Sequence, residues 1–257
     1  MDVPKFSKQF TFLALLVFIV FMIAYYAENN HISINLISNI NNTIEQALRE
    51  MPICSSRDRR RQRILLSILH AWTQFADTHN IQYWIAYGTL VGYVQRRGLL
   101  PYDSDTDVLI LAQDTQYLVP FTNVNFSSIY EIKVHPQWSF ARYKNRSYFR
   151  AQGINFVAPN ARFKHRTLHY HVDIWPIYDY HPDQSRNTTK TIKTLTEYSK
   201  YYTWISSPIE WTFPLKPCIF SGIKVWCPAM PEKLVTMQYG ATAVNKTDTK
   251  CVNGTWI

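Results

Sequence analysis

No Cys-x-x-Cys pair, with the histidines that would complete it, occurs anywhere in the 257 residues, which excludes the ordinary structural zinc sites. Acidic residues are scarce. Eighteen Asp and Glu stand against 27 Lys and Arg, a formal charge of +9, so the field favours anionic partners. The composition of a disordered chain is also missing, because 47% hydrophobic and 15% aromatic content is enough to bury one sizeable core.

Charge is absent altogether from Phe10 to Ala27. A helix over that stretch would be roughly 27 Å long, close to the hydrocarbon thickness of a bilayer. Lys5 and Lys8 precede it and Glu28 follows, which places the N-terminus in the cytosol, and Tyr25 and Tyr26 fall where an aromatic belt would lie. Bulky tyrosines stand where a signal peptide would need small residues. The expected organisation is a cytosolic tail over 1–9, a transmembrane signal-anchor helix over 10–27, a stem over 28–56 and a lumenal domain over 57–257. That describes a single-pass type II membrane protein of the Golgi or endoplasmic reticulum.

Glycosylation sequons begin at Asn41, Asn125, Asn145, Asn187, Asn245 and Asn253, where chance would supply about two. Four cysteines make an even number in a compartment that permits disulfides. Cys218 and Cys227 flank two short strand-like runs around Ser221-Gly222, a hairpin turn, and are expected to pair; Cys54 with Cys251 follows by elimination.

Arg57 to Arg63 is rich in arginine and leads into Ile64, Leu65, Ile68, Leu69, Trp72, Phe75 and Ala76, which recur at helical spacing up to about Asn80. The arginines are expected to form a solvated first turn, and the membrane segment argues against a nucleic-acid patch.

The stretch from Trp84 to Leu111 carries most of the chemistry. Gln82 to Tyr87 suits a strand, broken at Gly88-Thr89 where a helix can begin and turn backbone N–H groups toward an anion. Arg96 and Arg97 come next, placed to steady an anionic ligand. After a turn at Gly98 and Pro101, Asp103, Asp105 and Asp107 alternate and run into Val108-Leu-Ile-Leu111. Alternate strand residues share a face, so Asp105 and Asp107 project together. Like charges that close call for a cation, and hard oxygen ligands suit Mg²⁺ or Mn²⁺.

Leu168 to Ile177 is the second informative stretch. Its alternation sets Tyr170, Val172 and Ile174 on one face and His169, His171, Asp173 and Trp175 on the other. The two histidines are expected to pack or hydrogen-bond rather than hold zinc. Residues 183–200 read as a polar surface excursion leading into a helix.

The segment Gly88 to Val108 resembles, without a gap, the signature of LicD-type proteins, the group containing bacterial phosphocholine transferases and animal fukutin-related proteins. Asp173-Ile-Trp-Pro is similar to that family's third-carboxylate element, and Phe220 to Gly240 to its terminal hairpin and short helix, so the resemblance covers about residues 60–240. It implies an α+β fold, a mixed sheet flanked by helices as in the nucleotidyltransferase superfamily of DNA polymerase β. It also implies a metal held by Asp105, Asp107 and Asp173, with Asp173 either completing the site or taking the proton from the acceptor. Gly88 and Thr89 would cradle donor phosphate. The implied reaction transfers a phospho-alcohol, of the phosphocholine or alditol phosphate type, from a CDP-linked donor to a glycan or glycoprotein; nucleic acid is not an expected partner. Ser104, Thr106 and Gln95 depart from the family's usual Asp, aliphatic residue and Arg. The rival reading is a non-catalytic relative that binds glycan or assists a glycosyltransferase.

Overall fold

Helix α1 (Asp58–Thr78) forms where apolar residues recur at helical spacing, and Leu65, Ile68, Leu69, Trp72 and Ala76 on that stripe are fully buried. The computed structural model describes residues 42–122, 124–147, 149–151, 154–183, 193–199, 202–245 and 249–257. The chain divides at Thr43 into two units, and the second, residues 44–257, carries the sheet and the helices that pack on it.

Arg57, Arg60 and Arg63 are exposed, as a solvated first turn requires, but Arg59 and Arg61 are half-buried and bonded. Arg59 donates to the carbonyls of Leu48 and Met51, Arg61 to that of Pro101 at 2.6 Å, and Arg63 pairs with Glu45 at 2.7 Å. The guanidinium groups of Arg59 and Arg61 satisfy carbonyls that would otherwise be left over where the chain turns into and past the helix. Buried Gln62 adds a second bond to Pro101 O at 3.1 Å, so the first turns of α1 grip the loop just ahead of Asp103.

After α1 come β1 (Trp84–Ile85), α2 (Tyr87–Arg96), β2 (Thr106–Leu111) and β3 (Tyr130–Val134). Next are β4 (Phe149–Ala151), β5 (Ile154–Phe156), β6 (Ala161–His165), β7 (His171–Ile177), β8 (Thr194–Tyr198) and β9 (Trp204–Pro208). The chain closes with β10 (Lys216–Phe220), β11 (Ile223–Cys227), α3 (Pro231–Tyr239), β12 (Cys251–Val252) and β13 (Thr255–Trp256).

Five strands form the main sheet in the order β1-β2-β7-β6-β3, antiparallel throughout except for β2 beside β7. Period-two alternation gives this sheet two unlike faces. One carries Val108, Ile110, Ile132, Phe163, Val172 and Ile174, all buried. Trp72 and Phe75 of α1 meet Phe163 there, with ring centroids at 5.8 and 5.7 Å. The other face carries Glu131, Lys133, Arg162, Lys164, His171, Asp173 and Asp107 in register across four strands. Toward β1 it turns apolar again, where Trp84, Leu109, Ile177 and Leu195 pack together.

Two expectations are corrected. The mixed α+β class holds, but the sheet is not the helix-flanked one of DNA polymerase β. Between the parallel strands β2 and β7 the described chain runs through short 3-10 turns and places β3 and β6 in the same sheet. Ile132, Val134 and Phe163 alternate with charged neighbours, a pattern that fits strands and not a crossover helix. The second correction concerns the membrane. Among the described residues no helix is long and apolar enough to cross one, and residues 10–27 lie outside the described residues, so the transmembrane helix, the single-pass topology and the Golgi or endoplasmic reticulum location are withdrawn.

Smaller differences have local causes. The strand expected over 82–87 shrinks to Trp84–Ile85, because Tyr87 adopts φ 45° and opens α2. The helix expected toward residue 200 is instead β8, paired with β9; residues 184–192 lie outside the described residues. Ser221 and Gly222 turn β10 into β11 with φ 47° and 81°, the pair of positive values that a two-residue hairpin needs.

Candidate active site

The parallel pairing of β2 with β7 sets Asp107 directly opposite Asp173 on the polar face of the sheet. Asp105 enters just before β2, and His171 stands two residues ahead of Asp173 on the same face of β7. Ligand atoms of Asp105, His171 and Asp173 all lie within 4.8 Å of one another. Burial, and then the charge of Asp173, raises the Asp105 carboxyl above its ordinary value. Two carboxylates and an imidazole converging in a half-buried position form a donor set that fits a hard divalent cation.

The site thus gathers His171 where the sequence points to Asp107. The Asp107 carboxylate accepts from Trp175 Nε1–H at Oδ1 across 3.0 Å, while the Asp107 backbone N–H donates to Thr89 Oγ1 at 2.8 Å. Burial, with the charges of Asp105 and Asp173, pushes the Asp107 carboxyl well above the usual carboxylate range. Asp103 is raised to about 7 by burial and by Asp105, against a smaller opposite pull from Arg61. Three aspartates that repel one another in a confined space are stored electrostatic cost, which a bound cation relieves.

On the neighbouring strand, Arg162 faces Asp173 in register and donates from Nε to Oδ1 at 2.7 Å, while His171 Nε2 reaches the same oxygen at 3.2 Å. Farther along the face, Lys133 and Lys164 converge on buried Glu131 at 3.3 and 3.1 Å.

Beside the carboxylates opens a cavity of about 400 Å³. Its walls are aromatic and acidic: Tyr87, Trp175, Tyr198 and Tyr239 with Asp105, Asp107 and Glu197, and among the described residues no basic one lines it. Glu197 is buried between two donors, Tyr87 O–H and Gln238 Nε2–H, each at 2.7 Å. Its carboxyl is raised by burial despite those two bonds. Tyr87 also meets Trp175 edge to face at 5.5 Å, so α2, β7, β8 and α3 all contribute to this wall.

Other expected residues lie at varying distances from the carboxylates. Gly88 sits at the start of α2, and a Cβ built there would lie 3.5 Å from Asp103 Oδ2. Thr89 is fully buried, its hydroxyl occupied by β2. Arg96 ends α2 and Arg97 caps it, on the order of 12 Å from Gly88 along the helix axis, and neither lines the cavity. Arg97 stacks on Tyr93 at 4.6 Å. Cys54 is bonded to Cys251 and Cys218 to Cys227. Asn125, Asn145, Asn245 and Asn253 are exposed, while Asn41 and Asn187 lie outside the described residues. His169 precedes β7 and is exposed, and it is not one of the three residues whose ligand atoms converge. Arg162, Glu197 and Gln238 went unnoticed in the sequence because each lies outside the aspartate motifs and reaches the site only through strand register or through packing of β8 and α3.

Residues 80–230 match the family described as LicD/FKTN/FKRP, nucleotidyltransferase domain. Among curated proteins, the chain is 38% identical over 65 residues to the uncharacterized protein RP689 of Rickettsia prowazekii (strain Madrid E), covering 21% of this chain and 24% of that protein. It is 46% identical over 44 residues to the uncharacterized protein RT0683 of Rickettsia typhi (strain ATCC VR-144 / Wilmington), covering 15% of this chain and 14% of that protein. The matches therefore span a quarter or less of the curated relatives' length.

Proposed function

Since the chain belongs to the LicD/FKTN/FKRP family, whose members transfer phosphate-containing groups, we propose that it moves a phospho-alcohol, of the phosphocholine or alditol phosphate type, from a CDP-linked donor to a glycan. The observation that carries this reading is the convergence of Asp105, His171 and Asp173 within 4.8 Å, with Asp105 also on the wall of a cavity large enough for a small alcohol. These three residues would hold Mg²⁺ or Mn²⁺, which when bound neutralises the charge of a diphosphate and of the departing nucleotide.

The chain's own groups supply the rest. The first-turn N–H groups of α2, at Gly88 and Thr89, point out of a helix N-terminus, where phosphate oxygens are favoured. Tyr87, Trp175, Tyr198 and Tyr239 enclose the transferred alcohol and exclude water from the phosphorus. The acceptor hydroxyl attacks that phosphorus, the bond to the cytidine monophosphate oxygen breaks, and the hydroxyl proton passes to a carboxylate. Asp107, on the cavity wall, would take it.

The test is release of cytidine monophosphate from a panel of CDP-alcohols, including CDP-choline and CDP-alditols, by purified protein in Mg²⁺. Release from one donor, absent in Asp105→Asn and stimulated by a glycan, is the expected result. A folded protein that turns over none of them, with or without glycan, refutes the reading.

A further inference from the structure

We infer that Arg162 is a positioning residue for the metal site: its guanidinium locks the Asp173 carboxylate in the orientation that brings it together with Asp105 and His171. The inference rests on the proposed metal site and starts from strand register. Arg162 on β6 and Asp173 on β7 are direct partners in an antiparallel ladder, so their side chains leave the same face side by side. Nε donates to Oδ1 at 2.7 Å, and both side chains are largely withdrawn from solvent, at 18% and 7% exposure.

A second contact fixes the guanidinium itself. Its carbon lies 5.0 Å from the ring centroid of Phe156, the last residue of β5. A planar group held along one edge by a carboxylate and across one face by an aromatic ring has little freedom left, and neither does the carboxylate it holds. The other two cations in register on this face, Lys133 and Lys164, converge on Glu131. Of the three Lys and Arg side chains in that row, Arg162 grips a carboxylate of the proposed site, on the same Oδ1 that His171 Nε2 reaches at the longer distance of 3.2 Å.

Charge and position make opposite demands on Arg162, which lets them be separated. A fixed positive charge beside the site repels a cation, so by Coulomb's law alone its removal tightens metal binding. A partner that orients a ligand does the reverse, and loss of such a partner typically weakens metal affinity by about 10- to 100-fold. Lysine keeps the charge but lacks the planar Nε edge.

The experiment is titration of the full chain with Mn²⁺ alone, followed by electron paramagnetic resonance of the free ion, for wild type, Arg162→Lys, Arg162→Met and Phe156→Leu. Thermal midpoints are taken on the same samples without metal. The expected result is weaker Mn²⁺ binding in Arg162→Met by roughly 10- to 100-fold, a clear loss in folded Arg162→Lys, and a smaller loss in Phe156→Leu. Arg162→Lys binding at or above wild-type affinity overturns the inference, whatever Arg162→Met does. Should Arg162→Lys fail to fold, wild-type affinity in Phe156→Leu overturns it instead. Wild type that binds no Mn²⁺ defeats the metal reading itself, a result distinct from both.

Discussion

The indole N–H of Trp175 donates to Asp107 Oδ1 across 3.0 Å, between two parallel strands that already set Asp107 opposite Asp173. The bond partly offsets a crowded arrangement. Asp107 is half-buried, and Asp105, Asp173 and Asp103 all repel its charge. The polypeptide holds these groups together through register, α1 packing and the bonds to Pro101, and their mutual repulsion is what a cation would relieve.

Asp107→Asn therefore separates chemistry from folding. Asparagine keeps a carbonyl to accept from Trp175 but removes one of the crowded charges. Donor turnover is expected to disappear while the thermal midpoint of the metal-free protein stays level or rises. A large fall in the midpoint would mean that the carboxylate is structural.

Half-buried Asp103 and buried Asp58 give stability opposite dependences on pH. Asp103 is raised to about 7, so its contribution is complete below its ordinary value near 3.8 and is lost as pH climbs through about 7. Asp58 runs the other way. Burial raises it, but the N–H groups of Ser55 and Cys54 and the charge of Arg61 outweigh burial and leave it lowered. Its contribution is present above 3.8 and is lost as pH falls through the lowered folded value. Denaturant unfolding of metal-free protein should show Asp103→Asn flattening the decline between about pH 4 and 7, and Asp58→Asn removing part of the loss in acid. Curves unchanged by either substitution would contradict these assignments.

Much of this site was legible in the chain, for identifiable reasons. Asp107 and Asp173 stand in short alternating strands and Asp105 directly before one, where spacing alone decides which face each side chain takes, and His171 shares a face with Asp173 on the same grounds. The apolar stripe of α1 obeys the equally local rule of helical period. What spacing does not encode is which strands become neighbours. Arg162 meets Asp173 only because β6 pairs with β7, and Glu197 reaches Tyr87 across 110 residues of sequence. The arginines at the start of α1 misled for the same reason, since their carbonyl partners at Leu48, Met51 and Pro101 come from separate turns.

Glycines at two positions of α2 should respond in opposite ways to alanine. A Cβ at Gly92 would meet the Gly98 carbonyl oxygen at 2.5 Å, a backbone contact that cannot swing aside. Gly92→Ala is expected to cost about 1–3 kcal/mol of unfolding free energy. At Gly88 the nearest atom would be 3.5 Å away, an ordinary contact. Gly88→Ala should fold normally and lose donor affinity, because the added methyl narrows the approach to the helix N-terminus. Equal stability loss at both would contradict this account.

Tyr87→Phe deletes one of the two donors that satisfy Glu197 and leaves a buried carboxylate oxygen unpaired. The expected cost is about 1–3 kcal/mol by denaturant unfolding. Tyr87→Phe with Glu197→Leu should cost less than the sum of the two single changes, since the second removes the orphaned group. Additive losses would show that the pair is not coupled.

In the proposed reaction Asp105, His171 and Asp173 hold a divalent cation that grips a cytidine diphosphate. Calorimetric titration of the purified protein with CDP, UDP and ADP, each with and without Mg²⁺, tests it without knowledge of the acceptor. The account predicts Mg²⁺-dependent binding with CDP preferred, lost in Asp105→Asn. A folded protein that binds no nucleotide in Mg²⁺ or Mn²⁺, or binds all three equally without metal, would contradict it.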